Sequence, residues 1–391
     1  DRRRPRNTVR CSAVRGSCNE GSADVSDDDS VERRCSNTIT ASATGAPHKG
    51  FSLPSRQLQI WCALLQSDRP GPVERGGMQR LDPWHGHCQL QLARSGDRTR
   101  HQGGCSSPLK LLRAEDGDNG RCELPILHTA GGLVGGDQLS INLELAPNSR
   151  GLITSVAAQK VYGSIGRSQL KPEGSWAQQT VTCQLSGGSD LEWLPQELVL
   201  YADALYEQQL TVQLPADASF LSAEIVRLGR TAAGEQLQQG RWRSGLSIQR
   251  LNNTTSEPQS WELVDRLELA GKSLADLHGL HGQPVFGSLA WAAPMPMTAE
   301  ILDDLLNGAR QDREGLAGTM HCSALDQGFI ARYAGPSSRD ARFWFSRIWK
   351  RTRLLRNLNE PRIPRVWPLQ ELPLEQSAFT TNTAGTTTAT H

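Results

Sequence analysis

The stretch LHTAGGLVGGDQLSINLELAPNSRGLITSVAAQKVY, residues 127–162, carries the clearest structural pattern in the chain. After two glycine pairs, apolar and polar residues alternate over residues 139–145. This period of two is typical of a β-strand with one buried face. A turn then leads into a second apolar run, which ends at Lys160 and Tyr162. The stretch therefore predicts a β-meander that follows a bend containing Gly131, Gly132, Gly135 and Gly136.

Paired glycines also occur in loops that bind phosphate groups, because backbone N–H groups approach a ligand closely where no Cβ intervenes. The nucleotide-binding patterns require a helix directly after the glycines, and the P-loop requires a lysine as well. Here an alternating strand follows the glycines, and that lysine is missing. The residues therefore favour a tight bend over a nucleotide site.

Apolar runs separated by turn residues continue along most of the chain, which predicts a mainly β protein. Residues 220–228 have an ambiguous period and could form a strand or a helix. Two helices are predicted near the C-terminus, one with Thr298 as its N-cap and one with Ser337 or Ser338. The other strand predictions are residues 177–185, 191–194, 198–201, 205–214, 241–251, 261–269 and 285–292, with a hairpin over residues 315–333.

The two ends of the chain differ from the part between them. Residues 1–77 contain arginine clusters and little apolar periodicity, and the first methionine is Met78. Such a segment buries too little apolar surface to offset the entropy of ordering. We interpret residues 1–77 as a disordered leader outside the native fold and residues 78–368 as one β-rich domain. Residues 369–391 are threonine-rich and are interpreted as a disordered tail.

Charge and composition exclude several functional classes. The chain has 42 basic and 41 acidic residues, so clustered charge offers no case for binding nucleic acid or an acidic membrane. No apolar run reaches the roughly 18 residues of a membrane span, and none resembles a secretory signal. Nine cysteines without a CxxC pair favour free thiols in a reducing compartment. We therefore predict a cytoplasmic protein with neither a nucleic-acid nor a membrane partner.

Histidines are candidate metal ligands. His85 and His87 would lie on one face of a strand and could reach one metal ion, although such a pair is more often solvated. A metal-dependent enzyme would require His85, His87 and Asp137 to converge. The patterns GxSxG and HExxH are missing, so the residues favour a protein without catalytic activity. Two further groups lack a complete ligand set: His278 with His281, and His321 with Cys322.

Asp137 and Asp265 interrupt otherwise apolar strand segments. A buried carboxylate needs hydrogen bonds, a counter-charge or a cation. From the residues alone, Asp137 would cap the glycine bend, and Asp265 would pair with Arg266 or another arginine.

Several segments resemble signatures of the urease accessory protein family UreD, also called UreH. HTAGGLVGGD at residues 128–137 is similar to the family's HPPGGLVGGD, and TSVAAQKVYGS resembles the segment after it, with its Lys-x-Tyr pair. Three further signatures are similar to LEWLPQE at residues 191–197, RLGRTAAGE at residues 227–235 and PRVW at residues 364–367.

The resemblance implies a fold and a function, which we state as expectations. The fold would be a long β-rich body of helical-ladder type with two α-helices toward the C-terminus. The function would be that of a non-catalytic scaffold for nickel insertion into apo-urease, assembled with UreF, the GTPase UreG and the urease subunits. Family members are described as carrying an internal water-filled passage for nickel.

The resemblance also implies roles for individual residues. Asp137 and Asp265 would line the route of a transient Ni²⁺ ion, with no stably bound cofactor, since weak oxygen shells release a hydrated ion. Glu192 and Gln196 would line this route or face a partner, and Trp193 would anchor the core or an interface. The residues assigned to partner contacts or structural motifs are His128, Gly131, Gly132, Gly135, Gly136, Lys160, Tyr162, Glu192, Trp193 and Gln196.

The alternative function is that of a stand-alone β-rich module that binds carbohydrate or peptide. Such a module would present an exposed aromatic platform. Aromatic residues make up 5% of the chain, and several lie in the last predicted helix, so material for this platform is scarce.

Overall fold

A computed structural model describes residues 84–252, 257–276, 278–367 and 373–374. Strands dominate these residues, and two helices lie toward the C-terminus, so the predicted fold class is confirmed. The predicted leader, residues 1–77, lies outside the described residues. So does the predicted tail, residues 369–391, apart from residues 373–374.

The described strands alternate with short turns along the chain. The helices are α1 (Gly271–Ala275), α2 (Ala299–Gln311) and α3 (Ser338–Leu355). None of these three has the length and apolar content needed to cross a membrane. The strands are β1 (His85–Ser95), β2 (Arg98–Cys105), β3 (Leu109–Leu111), β4 (Glu115–Asp116), β5 (Cys122–His128), β6 (Gln138–Leu145), β7 (Arg150–Ser155), β8 (Gln159–Val161), β9 (Ala177–Leu185), β10 (Asp190–Leu194), β11 (Leu198–Leu200), β12 (Leu205–Pro215), β13 (Ser219–Leu228), β14 (Arg241–Leu251), β15 (Pro258–Ala270), β16 (Val285–Ala292), β17 (Thr319–Leu325) and β18 (Gly328–Gly335).

These strands form two sheets. The first sheet has the order β15-β14-β12-β9-β6-β1-β2, and the second has the order β17-β18-β16-β13-β10-β7-β5-β3. Apolar side chains of both sheets, such as Leu143 of β6 and Leu191 of β10, belong to one buried core, so the sheets pack face to face.

Parallel pairing dominates the middle of both sheets. In the first sheet, β1, β6, β9, β12 and β14 are parallel neighbours. In the second sheet, β5, β7, β10 and β13 are parallel neighbours. From β6 to β13 the long strands therefore alternate between the sheets, and each one returns beside an earlier strand of its own sheet. The continuous helical ladder that the resemblance implies remains a prediction.

The segment with the ambiguous period, residues 220–228, is strand β13. It pairs with β10 on one side and β16 on the other, and nearly all of its residues are buried. A central strand that is covered on both faces reads as a continuous apolar run, which hides the period of two.

Helix α3 covers the outer face of the second sheet. Its side chains Trp344, Ile348 and Trp349 share a second buried core with Leu221 of β13 and Leu289 of β16. The N-cap of α3 is Ser337, whose hydroxyl accepts a hydrogen bond from the backbone N–H of Asp340. Thr298 caps α2 as predicted. The second sheet is thus buried on both faces.

Candidate functional site

Two adjoining cavities of about 80 Å³ each lie between the sheets. We call them the Asp265 cavity, which is lined by Asp265 and Arg332, and the His128 cavity, which is lined by His128 and Gln159. Five side chains line both cavities, so the two share a wall. These side chains are Gln179, Trp193, Pro195, Gln208 and Glu224.

The wall formed by the first sheet carries a row of polar side chains. Gln179 of β9 is the register partner of Gln208 of β12, which is in turn the register partner of Ser244 of β14. The Gln208 amide donates a hydrogen bond of 3.2 Å to the Ser244 hydroxyl. Parallel strands in register place equivalent side chains side by side, so three strands that are distant in sequence build one polar row.

A second polar row runs across the facing sheet. Glu224 of β13 is paired in register with Ser288 of β16, and Ser288 with Arg332 of β18. Two contacts cross the space between the sheets. The Ser244 hydroxyl donates to the Glu224 carboxylate at 3.3 Å, and Arg332 donates to Asp265 at 2.5 Å.

Glu224 is the most strongly perturbed acid in this site. Glu224 lines both cavities, and the two sheets shield it from most of the solvent. Burial raises the pKa of Glu224 to about 7, against the opposing effects of the Ser244 hydrogen bond and the Arg332 charge. The carboxylate therefore changes its charge near neutral pH.

The His128 cavity also contains polar atoms without protein partners. The side-chain nitrogens His128 Nε2, Gln159 Nε2 and Gln196 Nε2 are buried and have no hydrogen-bond partner within the protein. A buried donor of this kind is costly unless water or a ligand satisfies it. A cavity of about 80 Å³ has room for several water molecules. This chemistry fits a hydrated cavity.

The two aspartates singled out in the sequence have different surroundings. Asp265 lines its cavity and pairs with Arg332, whereas the neighbouring Arg266 donates to Ser247. Asp137 lines neither cavity. Its carboxylate accepts a hydrogen bond of 2.9 Å from the backbone N–H of Val134 and so caps the glycine bend.

The charge of Asp137 still reaches the site. Burial lowers the pKa of His128, and the negative charge of Asp137 opposes that shift. The bend is thus electrostatically coupled to the end of the His128 cavity.

The glycine bend packs against the strand that contains Lys160. Leu133 and Val161 form a bridge, and a Cβ at Gly132 would lie 2.7 Å from the Tyr162 ring. Only glycine fits there, because the Gly132 φ angle of +155° is also unfavourable for other residues. Lys160 is exposed, and Tyr162 packs edge-on against Tyr201.

Glu192 was predicted to line the route or to face a partner, but it lies neither in the cavities nor on the surface. It is fully buried on the opposite face of β10 from Trp193, because successive side chains of a strand alternate. Arg353 of α3 holds its carboxylate with two hydrogen bonds of 2.9 and 2.6 Å, and Arg356 adds one of 3.0 Å. Burial alone would raise the pKa of Glu192, but the charges of Arg121 and Arg353 outweigh it and lower the pKa. Glu192 therefore fastens α3 to the sheet.

The histidine pair near the N-terminal end of β1 is exposed. The rings of His85 and His87 are 3.9 Å apart, and His87 Nδ1 is 2.7 Å from the Ser140 hydroxyl. Among the described residues, no group of three or more His, Cys, Asp or Glu side chains is arranged to hold a metal ion. The convergence of His85, His87 and Asp137 required by a metal-dependent enzyme is not found there.

Most residues of the two polar rows were not predicted from the sequence as site residues. A signal was present for most of these residues, because their neighbours two positions away along the strand are apolar and point inward; Glu224, two positions after Ser222, is an exception. Gln179, for example, lies between the buried residues Ala177 and Val181. The residues that were missed are Gln179, Gln208, Glu224, Ser244, Ser288 and Arg332.

Comparison with known proteins agrees with the motifs. The family described as UreD urease accessory protein matches residues 85–368. The urease accessory protein UreD of Synechococcus sp. strain WH7805 is 71% identical over 319 residues, which cover 80% of this chain and 100% of the relative. That of Prochlorococcus marinus strain MIT 9303 is 57% identical over 296 residues, which cover 74% of this chain and 98% of the relative. The chain therefore belongs to the UreD family, whose members are accessory factors of urease rather than catalytic enzymes.

Proposed function

We propose that this protein supports urease maturation by giving Ni²⁺ a hydrated polar route through the inter-sheet cavities. The observation that carries the proposal is the pair of polar rows facing each other between the sheets. A core between two sheets is ordinarily apolar, and polar groups enclosed there are costly unless protein groups, water or a ligand satisfy their hydrogen bonds. Carboxylate, amide and hydroxyl groups from both sheets face these cavities.

The lining has the chemistry that a moving cation needs. Glu224 and Asp265 supply negative charge, while the amides of Gln179 and Gln208 supply neutral oxygens. Oxygen donors of this kind bind Ni²⁺ more weakly than a complete set of imidazole and thiolate ligands does. Arg332 neutralises Asp265, so Glu224 is the carboxylate in this lining with charge left to attract a cation. The ion would pass with most of its water shell.

The partners in this proposal are those expected of the family. UreG would bring the nickel and hydrolyse GTP, UreF would hold the assembly together, and apo-urease would receive the ion. The glycine bend supports this division of labour, since a strand and not a helix follows it, and nucleotide chemistry thus falls to a partner. Assembly would take place in the cytoplasm.

A reconstituted mixture of apo-urease, UreF, UreG, GTP and Ni²⁺ tests the route. A double variant, Gln179→Leu with Gln208→Leu, removes both amides from the shared wall while keeping similar side-chain volume. We expect urease activation to fall at least about tenfold while the variant still co-purifies with its partners. Each amide is expected to contribute about 1 kcal/mol of free energy to passage of the hydrated ion, so the loss of both would lower activation by this factor.

A matched control carries the same chemical change on the opposite face of the same strands. Gln178→Leu with Gln213→Leu should leave activation close to that of the natural protein. Full activation by the cavity variant would exclude a route through these cavities, and lost co-purification would mean that the lining serves assembly instead.

A further inference from the structure

Cys88 and Cys105 face each other across the antiparallel pair of β1 and β2. Their sulfur atoms are 2.6 Å apart, so no other atom fits between them. Directly opposed residues on antiparallel strands have Cα atoms about 4.5–5.5 Å apart. That spacing lies within the range of roughly 4.4–6.8 Å that a disulfide requires. The register therefore places the two cysteines at a spacing that a disulfide can bridge.

One glycine of β2 allows the two strands to approach closely beside the cysteines. Gly104 is opposite Gln89, and Gly103 is opposite Leu90. A Cβ at Gly103 would lie 2.0 Å from the Gln89 carbonyl oxygen, and the Gly103 φ angle is +109°. Glycine is the one amino acid that can adopt this conformation and allow so close an approach, because it has no Cβ. The glycine therefore allows β2 to lie against β1 beside the two cysteines.

The two thiols differ in burial and in pKa. Cys88 is buried in the core, whereas Cys105 is only half-buried. Their mutual hydrogen bond lowers the pKa of Cys105 and raises that of Cys88. Cys105 is thus the thiol that reacts first, and Cys88 is held in contact with it to react second.

We propose that Cys88 and Cys105 form a reversible disulfide when the protein meets a hydroperoxide. The Cys105 thiolate attacks the peroxide, the O–O bond breaks, and Cys105 becomes a sulfenic acid as hydroxide leaves. The Cys88 thiol then attacks the Cys105 sulfur, an S–S bond forms, the S–O bond breaks and water leaves. Overall, two thiols and one H₂O₂ give one disulfide and two waters, and a dithiol reductant reverses the change.

The cross-link would fix the end of an edge strand. Within the part of the chain that the structure describes, β2 pairs with β1 and with no other strand of the first sheet. After Cys105, the backbone N–H of Ser106 donates to His87, and the carbonyl of Pro108 accepts from the backbone N–H of Thr129, just before the glycine bend. Oxidation would anchor this connection covalently. The inference goes beyond the proposed function and does not depend on nickel transfer.

The test treats the full-length protein with hydrogen peroxide, denatures it, alkylates the remaining thiols and digests it for mass spectrometry without reduction. We expect a cross-linked peptide pair containing Cys88 and Cys105, two hydrogen masses lighter than the separate peptides, which disappears on treatment with dithiothreitol. A disulfide that closes the chain segment between Cys88 and Cys105 should raise the unfolding temperature by about 5 °C. Cys105→Ser, at the half-buried position, should abolish the cross-link.

Matched controls use cysteines in other surroundings. Cys183 is buried and Cys322 is half-buried, and neither lies opposite another cysteine in the described sheets. Cys183→Ser and Cys322→Ser should leave the cross-link intact. Oxidation of Cys105 to a sulfinic acid without a cross-link would overturn the proposal. So would a disulfide joining either cysteine to Cys122, which lies 3.9 Å from His101.

Discussion

The hydroxyl of Ser244 donates a hydrogen bond to the carboxylate of Glu224 across 3.3 Å, and the two residues belong to facing sheets. Each is one member of a polar row built from strands that are distant in sequence. The contact therefore joins the two rows into a single polar layer between the sheets. Around Glu224, this layer combines a titrating carboxylate with neutral hydrogen-bonding groups.

Glu224→Gln should stabilise the protein at alkaline pH. In the unfolded chain the carboxyl ionises near pH 4.3, whereas burial raises its pKa in the folded protein to about 7. Between these values the folded state binds more protons, so the stability of the natural protein falls as pH rises and levels off above pH 7. The glutamine variant avoids this loss and should be more stable by up to about 3 kcal/mol at pH 8.

Urea unfolding of both proteins at pH 5 and pH 8 measures the difference. The two unfolding free energies should converge toward pH 5. A variant that is less stable than the natural protein at pH 8 would contradict the raised pKa.

The same substitution should lower urease activation. A neutral amide no longer attracts Ni²⁺, so activation in the reconstituted mixture should fall about tenfold or more even though the protein is more stable. With the natural protein, activation should increase as pH rises through about 7, because Glu224 becomes ionised. Glu268→Gln, on the exposed face of β15, is the control and should retain full activation. Equal activation by the Glu224 variant would show that this carboxylate does not act on the cation.

Glu192→Gln should destabilise the protein at neutral pH. The substitution leaves Arg353 and Arg356 buried with less compensating charge, and breaking a buried ion pair in this way costs about 3–5 kcal/mol. The folded pKa of Glu192 is lowered, so its contribution is complete above the ordinary glutamate pKa of about 4.3 and is lost as pH falls below it.

Chemical unfolding at pH 7 and pH 4 checks both statements. The difference in unfolding free energy between the Glu192 variant and the natural protein should be large at pH 7 and smaller at pH 4. Glu144→Gln, whose carboxylate accepts hydrogen bonds from the exposed side chains of Gln89 and Gln91, should change stability little at either pH.

Gly135→Ala should disturb the glycine bend and lower the stability of the protein. A Cβ there would lie 2.2 Å from the Ser164 hydroxyl oxygen and 2.6 Å from the Ser175 carbonyl oxygen. Relieving such contacts requires a backbone shift, which costs about 1–3 kcal/mol. Thermal unfolding measures this loss. Gly104→Ala is the matched control, because a Cβ there meets no atom within 4 Å, and it should leave stability nearly unchanged.

Many of the local elements were predictable because hydrophobic periodicity is a local property. Residues 177–185, 241–251 and 285–292 match β9, β14 and β16 in both bounds. The N-cap at Thr298 was also predictable, because a cap acts within one helical turn. Asp265 was recognised as unusual because it interrupts an apolar strand, although its partner proved to be Arg332 and not its neighbour.

The sequence by itself determined the β-rich class, the family and the positions of many strands, because all three depend on residues close together along the chain. Strand register and the facing of two sheets were decided only by the tertiary structure. They place Glu224 opposite Ser244 and send Glu192 to the helix-covered face while Trp193 lines the cavities. Such contacts depend on which strands become neighbours, and the burial of both sheets selects those neighbours.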